Sequence, residues 1–226
     1  MKNTTEPDLT EEEFNERFLG AMGEFRPGGA DKMARHAWLV REKNKVMNLT
    51  RLTSPEDMAV KHVLDSLAAL PILAGTDDIK VSRVLDLGTG AGFPGLTLAC
   101  ALPDLQVTLL DGTRKKIEFL NDVVGDMGMS QQVSRVWSRF EDHIRPERRD
   151  YDVVMARAVG PLSRILQWTT NNWFGPLLLW KGPKFEEELD DCHRLLKKRK
   201  MDVVLDISYD LPGDEAERRL IMIDWV

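Results

Sequence analysis

The chain has 226 residues, 42% of them hydrophobic, and a formal net charge of -6 at pH 7. This length and apolar content are enough for one substantial core, so we expect one main domain with room for an appendage. The acidic balance argues against a nucleic-acid partner, because lysine and arginine are needed to neutralise phosphates. Residues 43–51, 135–149 and 197–200 are nevertheless locally basic.

The composition also bears on where the protein works. No apolar run approaches the ~20 residues needed to cross a bilayer, and the polar, acidic N-terminal stretch lacks the order of a secretory signal. Cys100 and Cys192 occur in unrelated contexts, which predicts neither a disulfide framework nor a metal site. We therefore expect a cytoplasmic protein that uses no metal and no membrane.

Residues 1–72 are predicted to form an N-terminal helical segment. A capping box begins at Thr10, and apolar residues follow it at helical spacing. Asp31 is positioned to cap a second helix. Ser54 is positioned to cap a third, in which a proline takes the first helical position. The third helix is expected to end before Pro71.

Residues 73–226 show a different pattern, in which short apolar runs alternate with helical stretches. Such runs, joined by helical crossovers, are typical of parallel strands covered on both faces. Only a short polar loop joins the last two runs, which predicts an antiparallel pair at the end of the sheet. A doubly wound α/β domain follows. Its predicted strands are VSRVLDL, QVTLLD, QVSRVWS, YDVVMAR, PLLLWK, MDVVLDIS and RRLIMIDWV.

The stretch VLDLGTGAGFPG, residues 84–95, predicts a glycine-rich turn between the first strand and a helix. Such a turn lets a ligand approach backbone that any Cβ would block. Gly90, Gly92 and Gly95 match the G-x-G-x-x-G spacing, which by itself is weak evidence for a dinucleotide. The charge of Asp86 is more informative, since it would repel a pyrophosphate but attract the sulfonium and ammonium groups of S-adenosylmethionine.

Further candidate ligand contacts follow the second and third strands. Asp111 ends the second strand, where an acid reaches ribose hydroxyls in these folds. After the third strand, Phe140 could lie against an adenine ring, and Glu141 or Asp142 could bind the polar edge of that ring. Each acid has an alternative, because Asp86 could cap the next helix and Glu141 could pair with Arg139 or Arg145 on the surface. Acids at successive strand ends favour a bound nucleoside.

The chain carries short motifs in a fixed order. They are NLT (48–50), KHVLDS (61–66), VLDLGTGAGFPG (84–95), LLDGTRKKIEFL (109–120), SRFED (138–142), ARAV (156–159) and WKG (180–182). In this order they resemble the motifs of the ribosomal RNA small subunit methyltransferase G family, also called glucose-inhibited division protein B. The combination of GTGAGFPG with a preceding H-x-L-D-S and a following D-x-x-x-K-K is specific. The likeness extends from about Lys43 to the C-terminal ERRLIMI.

The resemblance implies a fold and a reaction. The fold is the Rossmann-like sheet of class I S-adenosylmethionine-dependent methyltransferases, mostly parallel with an antiparallel C-terminal strand. The reaction is methyl transfer from S-adenosyl-L-methionine to N7 of one guanine in 16S rRNA. That rRNA, or the small ribosomal subunit, would be the partner of a monomeric enzyme.

The resemblance also implies cofactor contacts. Asp111 matches the acid of the family at the second strand. Ala156 and Val159 replace the serine and phenylalanine that usually flank the arginine, and Gly112 and Lys116 replace a serine and an arginine. Carried onto matching positions, the cofactor contacts of the family are Gly88, Phe93, Phe140, Glu141 and Arg157. The glycine-rich turn adds Asp86, Gly90 and Gly92 as candidate cofactor contacts.

Methylation of guanine N7 requires no general base, because N7 carries an in-plane lone pair and no proton. A cation on the neighbouring O6 would hold the base while N7 stays free for the methyl group. Arg157 and Lys181 follow the fourth and fifth strands and are the candidate catalytic residues. Lys181 could instead pair with Glu186 or Glu187 of the next helix, and Arg157 could pair with Asp86 or Asp111.

Two further constellations have both a functional and a structural interpretation. His62 and Asp65 share a helical face and could ligate a metal, although a capping or packing pair is the simpler interpretation. Asn48, Thr50 and Arg51 lie where the helical segment meets the main domain, and we hypothesise that they close over cofactor or RNA.

Three other functions compete with rRNA methylation. A small-molecule methyltransferase on the same fold is the first alternative and is favoured by the acidic net charge. A nicotinamide-dependent oxidoreductase is the second. A non-catalytic RNA-binding factor is the third. Loss of the glycine-rich turn or of the acids at the strand ends would indicate such a factor, and this sequence retains both.

Overall fold

The computed structural model describes residues 8–75, 80–144, 151–169 and 175–226. Its α-helices are α1 (Glu11–Ala21), α2 (Ala30–Asn44), α3 (Pro55–Asp57), α4 (Asp65–Leu67), α5 (Leu70–Leu73), α6 (Gly95–Ala101), α7 (Arg114–Asp126), α8 (Phe140–His143), α9 (Leu162–Trp168) and α10 (Phe185–Arg199). A π-helical segment (Met58–Leu64) joins α3 to α4. The strands are β1 (Arg83–Leu87), β2 (Gln106–Asp111), β3 (Val133–Trp137), β4 (Val153–Arg157), β5 (Leu177–Lys181), β6 (Met201–Leu211) and β7 (Asp214–Trp225).

The first two helices begin in different ways. The predicted capping box is present in α1, where the Thr10 backbone N–H donates to Glu13 Oε2 at 2.8 Å and the Glu13 N–H donates to Thr10 Oγ1 at 3.3 Å. The prediction that Asp31 caps α2 is wrong, because Gly29 is the N-cap, with φ of 81°. A Cβ on Gly29 would lie 2.3 Å from the carbonyl oxygen of Cys100, so close packing on the sheet domain selects glycine here.

The third helical stretch is less regular than the sequence predicts. Ser54 caps it as expected, accepting from the Asp57 N–H at 3.1 Å. The α-helical hydrogen-bond pattern then widens through the π-helical segment and resumes in α4. The prediction that this helix ends before Pro71 is confirmed, since α4 stops at Leu67. Pro71 lies instead in the first turn of the short α5, where a missing N–H is tolerated.

The strands form one sheet in the order β3-β2-β1-β4-β5-β7-β6. Strands β1 to β5 pair in parallel, and β7 pairs antiparallel with both β5 and β6. The predicted α/β sheet with an antiparallel C-terminal strand is confirmed. All the parallel strands therefore end at one carboxyl edge, which is where ligands bind in such sheets.

Two apolar clusters cover the two faces of the sheet, because neighbouring strand residues point to opposite sides. Phe14 and Phe18 of α1 are fully buried in the same cluster as Val84 of β1. Leu85, the next residue of β1, belongs to the second cluster, which includes residues of α9 and α10. The N-terminal helices therefore share a core with the sheet. No helix within the described ranges is long and apolar enough to cross a membrane.

Candidate active site

A cavity of about 420 Å³ opens at the carboxyl edge of the sheet, between the ends of β1, β2, β3 and β4. It contains four of the predicted cofactor contacts, which are Gly88, Asp111, Phe140 and Glu141. The other residues that line it are Leu87, Leu110, Gly112, Lys116, Ser138, Arg139, Ala158, Val159 and Trp168.

Gly88 forms the floor of this cavity next to the end of β4. Its backbone has φ of +71°, and a Cβ on it would lie 2.3 Å from Val159 Cγ1. Its N–H donates to the Leu110 carbonyl at 2.8 Å, which ties the turn to β2. Only glycine fits this conformation and this space, so main chain rather than a side chain faces the cavity.

Asp86 lies under the glycine turn, buried to 1% exposure. Its Oδ2 accepts from the Thr89 hydroxyl at 2.7 Å and from the Gly95 N–H at 2.8 Å, so it caps the start of α6, as one of its two interpretations anticipated. Its Oδ1 has no hydrogen-bond partner among the described residues. Burial raises the pKa of Asp86 to about 6, because the charged form loses its hydration.

Asp111 connects the glycine turn to the start of α7. One carboxylate oxygen accepts from the Thr113 N–H at 2.8 Å. The other accepts from the Gly90 N–H at 3.1 Å and pairs with Lys116 Nζ at 3.4 Å. Asp111 is also a lining residue of the cavity. The Gly90 N–H donates its hydrogen bond to this carboxylate.

Phe140 and Glu141 begin α8 at the other end of the cavity. Phe140 is buried, with 2% exposure, and Glu141 is exposed. Both line the cavity together with Asp111. An aromatic side chain and two carboxylates thus line one cavity, and their assignment to a nucleoside stays a prediction. Arg145, the more distant surface arginine for Glu141, lies outside the described residues.

Phe93 and Gly92 face the N-terminal helices instead of the cavity. The Phe93 ring lies between the rings of His36 and His62, with centroid distances of 4.5 and 4.6 Å. A Cβ on Gly92 would lie 3.0 Å from His36 Nε2. Burial lowers the pKa of His36 to about 4 and that of His62 to about 3, so both imidazoles are neutral at pH 7.

His36 was not among the residues that the sequence singled out. Its Nε2 lies 2.7 Å from the Ala91 carbonyl oxygen, and in the neutral imidazole this nitrogen donates. The available signal was its position one turn after Met33 and one turn before Val40, on the buried face of α2. This contact holds the glycine turn against the helical segment.

Arg157 holds the π-helical segment against the end of β4. Its guanidinium donates to the Lys61 carbonyl at 2.7 Å and to the His62 carbonyl and the Ser66 hydroxyl at 3.0 Å. It also pairs with Asp65 Oδ2 at 3.0 Å. The alternative pairings of Arg157 with Asp86 or Asp111 are not observed, and the side chain does not line the cavity.

Asp65 collects several contacts from distant parts of the chain. Its Oδ1 accepts from the Tyr209 hydroxyl at 2.7 Å and from Arg218 Nη1 at 3.1 Å. Its carbonyl accepts from the Trp180 indole at 2.8 Å. Among the described residues, no group of three histidine, cysteine or acidic side chains is arranged to hold a metal. The packing interpretation of Asp65 therefore accounts for the observed contacts.

His62 links the Arg157–Asp65 ion pair to the loop that precedes α3. Its Nε2 lies 2.7 Å from Thr50 Oγ1, and its Nδ1 lies 3.1 Å from the Arg157 guanidinium. The loop is further fixed by Asn44, whose side-chain oxygen accepts from the Thr50 N–H at 3.0 Å. Arg51, for which closure over the substrate was hypothesised, is exposed at this loop.

Lys181 ends β5 and is engaged by the following helix. Its Nζ pairs with Glu188 Oε2 at 2.6 Å, and its side chain is only 7% exposed. The partner is thus Glu188, whereas Glu186 or Glu187 was predicted. Glu188 Oε2 also accepts from the Leu162 N–H at 2.7 Å, so this pair connects β5, α9 and α10.

The strand order, the glycine turn and the acids at successive strand ends define an α/β sheet of the methyltransferase type. Solved structures agree on this fold. The B. subtilis tRNA methyltransferase TrmK superposes with a TM-score of 0.51 at 12% identity, covering 74% of this chain and 66% of that chain. The mitomycin 7-O-methyltransferase MmcR gives 0.53 at 14% identity, covering 94% and 67%.

Sequence comparison identifies the family. Residues 30–209 match the family model described as rRNA small subunit methyltransferase G. The chain is 36% identical over 219 residues to the ribosomal RNA small subunit methyltransferase G of Symbiobacterium thermophilum, covering 92% of this chain and 87% of that protein. The relative with the same name in Lactococcus lactis subsp. cremoris is 34% identical over 217 residues, covering 92% and 90%. The chain therefore belongs to the rRNA small subunit methyltransferase G family, which confirms the resemblance.

Proposed function

We propose that this protein transfers a methyl group from S-adenosyl-L-methionine to N7 of one guanine in 16S rRNA. Its family supports methylation of small-subunit rRNA with this methyl donor. The observation that carries the proposal at the site is the cavity at the carboxyl edge, where glycine backbone and the carboxylates of Asp111 and Glu141 meet. We further propose that it works in the cytoplasm as a monomer, without a metal.

The residues present fit the cofactor. Gly88 lines the cavity with backbone and packs against Val159, where a Cβ would collide, and Asp111 is placed for ribose hydroxyls. The buried Oδ1 of Asp86, which has no partner among the described residues, is suited to a cationic ligand. When bound, S-adenosyl-L-methionine supplies an electrophilic methyl group on a positively charged sulfur. Asp86 would then offset positive charge from below the turn, and Phe140 would pack against the adenine.

The remaining turn residues form a rigid support. Phe93 and Gly92 pack on His36 and His62, which holds the turn against the helical segment. We propose that they keep Gly88 in place, since their side-chain contacts are with the helices. Direct contact of Gly90, Gly92 or Phe93 with the cofactor stays a prediction.

Methyl transfer to the substrate guanine depends on positioning of the base more than on general acid-base catalysis. N7 brings its own lone pair, so catalysis would come from holding the base in line and excluding water. We assign Lys181 to guanine O6, with Glu188 holding the ammonium at the end of β5. Arg157 would act as a positioning residue that fixes the π-helical segment, since its guanidinium is committed to Asp65 and to the backbone. Contact of Arg157 with base or cofactor stays a prediction.

A small-molecule methyltransferase is the second candidate. The formal charge of -6 favours it, and the fold is shared with a mitomycin methyltransferase as closely as with a tRNA methyltransferase. The test supplies radiolabelled S-adenosyl-L-methionine to the purified protein with unmethylated small ribosomal subunits, naked 16S rRNA, or an RNA-free metabolite extract. We expect label in rRNA, recovered as 7-methylguanosine. Label in the extract alone would support the second candidate.

Cofactor binding separates the other two alternatives. We expect calorimetry to show binding of S-adenosylhomocysteine and none of NAD, whereas the reverse would indicate an oxidoreductase. Binding of RNA without binding of S-adenosylhomocysteine would indicate a non-catalytic RNA-binding factor.

A further inference from the structure

An exposed tryptophan lies beside the cofactor cavity and takes no part in the proposed methyl transfer. Trp137 is the last residue of β3, opposite Asp111 in the parallel register, and it is 58% exposed. Its indole N–H donates to the carbonyl of Gly112, a cavity-lining residue, at 3.1 Å. This hydrogen bond orients the ring next to a cavity-lining residue, while more than half of the Trp137 surface stays exposed.

The position of Arg114 indicates what such a ring could bind. Its guanidinium carbon lies 5.5 Å from the centre of the Trp137 ring, and its Nε is paired with Glu118 at 2.8 Å. A guanidinium beside an indole is an arrangement that binds nucleic acid well, because a base can stack on the aromatic plane while the cation contacts phosphate.

The charge around this ring has the sign that RNA requires. Helix α7 begins with Arg114, Lys115 and Lys116, and its first turn contains no acidic residue. Positive charge at a helix N-terminus opposes the helix dipole, so helix stability does not explain this placement. Arg135 on β3 and the exposed, cavity-lining Arg139 add positive charge on the neighbouring strand and loop. Glu118 pairs with Arg114 and Asp111 pairs with Lys116. Three further cations, Lys115, Arg135 and Arg139, lie near this exposed aromatic residue in a chain of net charge -6.

We propose that Trp137, supported by Arg114, is a stacking platform for an unpaired base of the substrate RNA. Proteins recognise single-stranded RNA by stacking its bases on aromatic rings while cations follow the backbone. The platform borders the cavity, so it would anchor nucleotides near the reacting guanine without contacting the transferred methyl group. This proposal rests on the proposed function, since it takes the substrate to be RNA.

Trp137→Ala tests the platform directly. Loss of one stacked base is expected to weaken binding of unmethylated 16S rRNA about tenfold in an anisotropy titration. The KM for RNA should rise by the same factor, while kcat and the affinity for S-adenosylhomocysteine stay unchanged. Trp137→Phe should recover most of the affinity, because it retains a ring that can stack.

A matched control removes an exposed tryptophan elsewhere. Trp225 is 50% exposed and ends β7, which lies five strands away from β3 in the sheet. Trp225→Ala should leave RNA affinity unchanged. Equal losses in both variants would overturn the proposal.

Salt dependence separates stacking from charge. Arg114→Ala and Lys115→Ala should each make the salt dependence of RNA binding shallower by about one released ion, whereas Trp137→Ala should lower affinity at every salt concentration without changing the slope. Tryptophan fluorescence gives a second test of stacking. RNA should quench the fluorescence of the wild-type protein more than that of Trp137→Phe.

Three further results would overturn the platform. One is unchanged RNA affinity in Trp137→Ala, and another is quenching that is the same with and without Trp137. The third is weaker S-adenosylhomocysteine binding with RNA binding intact, which would make Trp137 a cover for the cofactor cavity. If the wild-type protein bound no RNA at all, the proposed function itself would fail, and that result is distinct from each of these.

Discussion

The two halves of the carboxyl edge use their charged residues differently. At β2 and after β3, the carboxylates of Asp111 and Glu141 line an accessible cavity. At β4 and β5, the cations of Arg157 and Lys181 are engaged by buried or half-buried acids, Asp65 and Glu188. Strand ends therefore bring the predicted groups to one edge of the sheet, where Asp111 and Glu141 line the cavity and Arg157 and Lys181 do not.

The largest expected effect concerns the ion pair between Arg157, at the end of β4, and Asp65. Arg157→Met should lower the free energy of unfolding by about 3 kcal/mol, because it leaves the buried Asp65 carboxylate with one arginine instead of two. Denaturant unfolding measures this change. Asp65→Asn combined with Arg157→Met should cost less than the sum of the single changes. Full stability of Arg157→Met with loss of methyl transfer would instead place this arginine on the substrate.

The next effect concerns the cavity floor. Gly88→Ala should weaken S-adenosylhomocysteine binding on the order of 100-fold, because it combines an unfavourable φ with a Cβ 2.3 Å from Val159. Gly90→Ala is the matched control, since its φ is +60° but its Cβ would meet nothing closer than 3.9 Å. Calorimetry should show a much smaller loss for that variant. Equal losses would mean that backbone strain alone, and not the space at Gly88, controls binding.

Lys181 should affect catalysis and not cofactor binding. Lys181→Met is expected to lower kcat about tenfold, the size expected for one hydrogen bond from a charged donor, with unchanged affinity for S-adenosylhomocysteine. Glu188→Gln keeps the ammonium and should retain most of the activity. If the two variants lost activity equally, Lys181 would act through its ion pair alone.

The smallest expected effect is a dependence on pH. Affinity for S-adenosyl-L-methionine should fall a few-fold between pH 7 and pH 5, because protonation of Asp86, with a pKa near 6, removes its negative charge. His36 and His62 stay neutral across this range, since burial keeps their pKa values near 4 and 3. Calorimetry at several pH values measures the trend, and Asp86→Asn should abolish it.

Stability without cofactor should follow the opposite trend. The pKa of Asp86 is raised from 3.8 to about 6 in the folded protein. Its contribution to stability is therefore fully present below pH 3.8 and is lost as the pH rises through 6. Thermal unfolding of wild type and Asp86→Asn would separate this contribution from those of other groups. Parallel trends in binding and in the Asp86-dependent stability would contradict the assignment.

Local patterns in the sequence predicted local structure well. The capping box at Thr10, the proline-initiated helix after Ser54 and the strand runs all depend on residues a few positions apart, and each is present. The location of the acids Asp111 and Glu141 in one cavity was also predictable, because the ends of parallel strands necessarily meet at one edge.

Contacts between distant segments were not predictable in the same way. Asp65 meets Arg157 and Tyr209 only after the helical segment has packed on the sheet, and no short spacing reports that contact. The left-handed Gly29 is likewise set by its approach to Cys100. Alternation patterns show which residues are buried but not which residues they contact. Arg157 and Lys181 were therefore predicted at the ends of β4 and β5, whereas their partners Asp65 and Glu188 were not predicted.

The central claim is that this protein methylates N7 of a guanine in small-subunit rRNA. The most direct measurement is nucleoside mass spectrometry of 16S rRNA from cells with and without the protein, combined with mapping of the modified position. We expect one 7-methylguanosine that disappears when the protein is absent and returns when the protein is restored. Unchanged 7-methylguanosine in cells that lack the protein would contradict it.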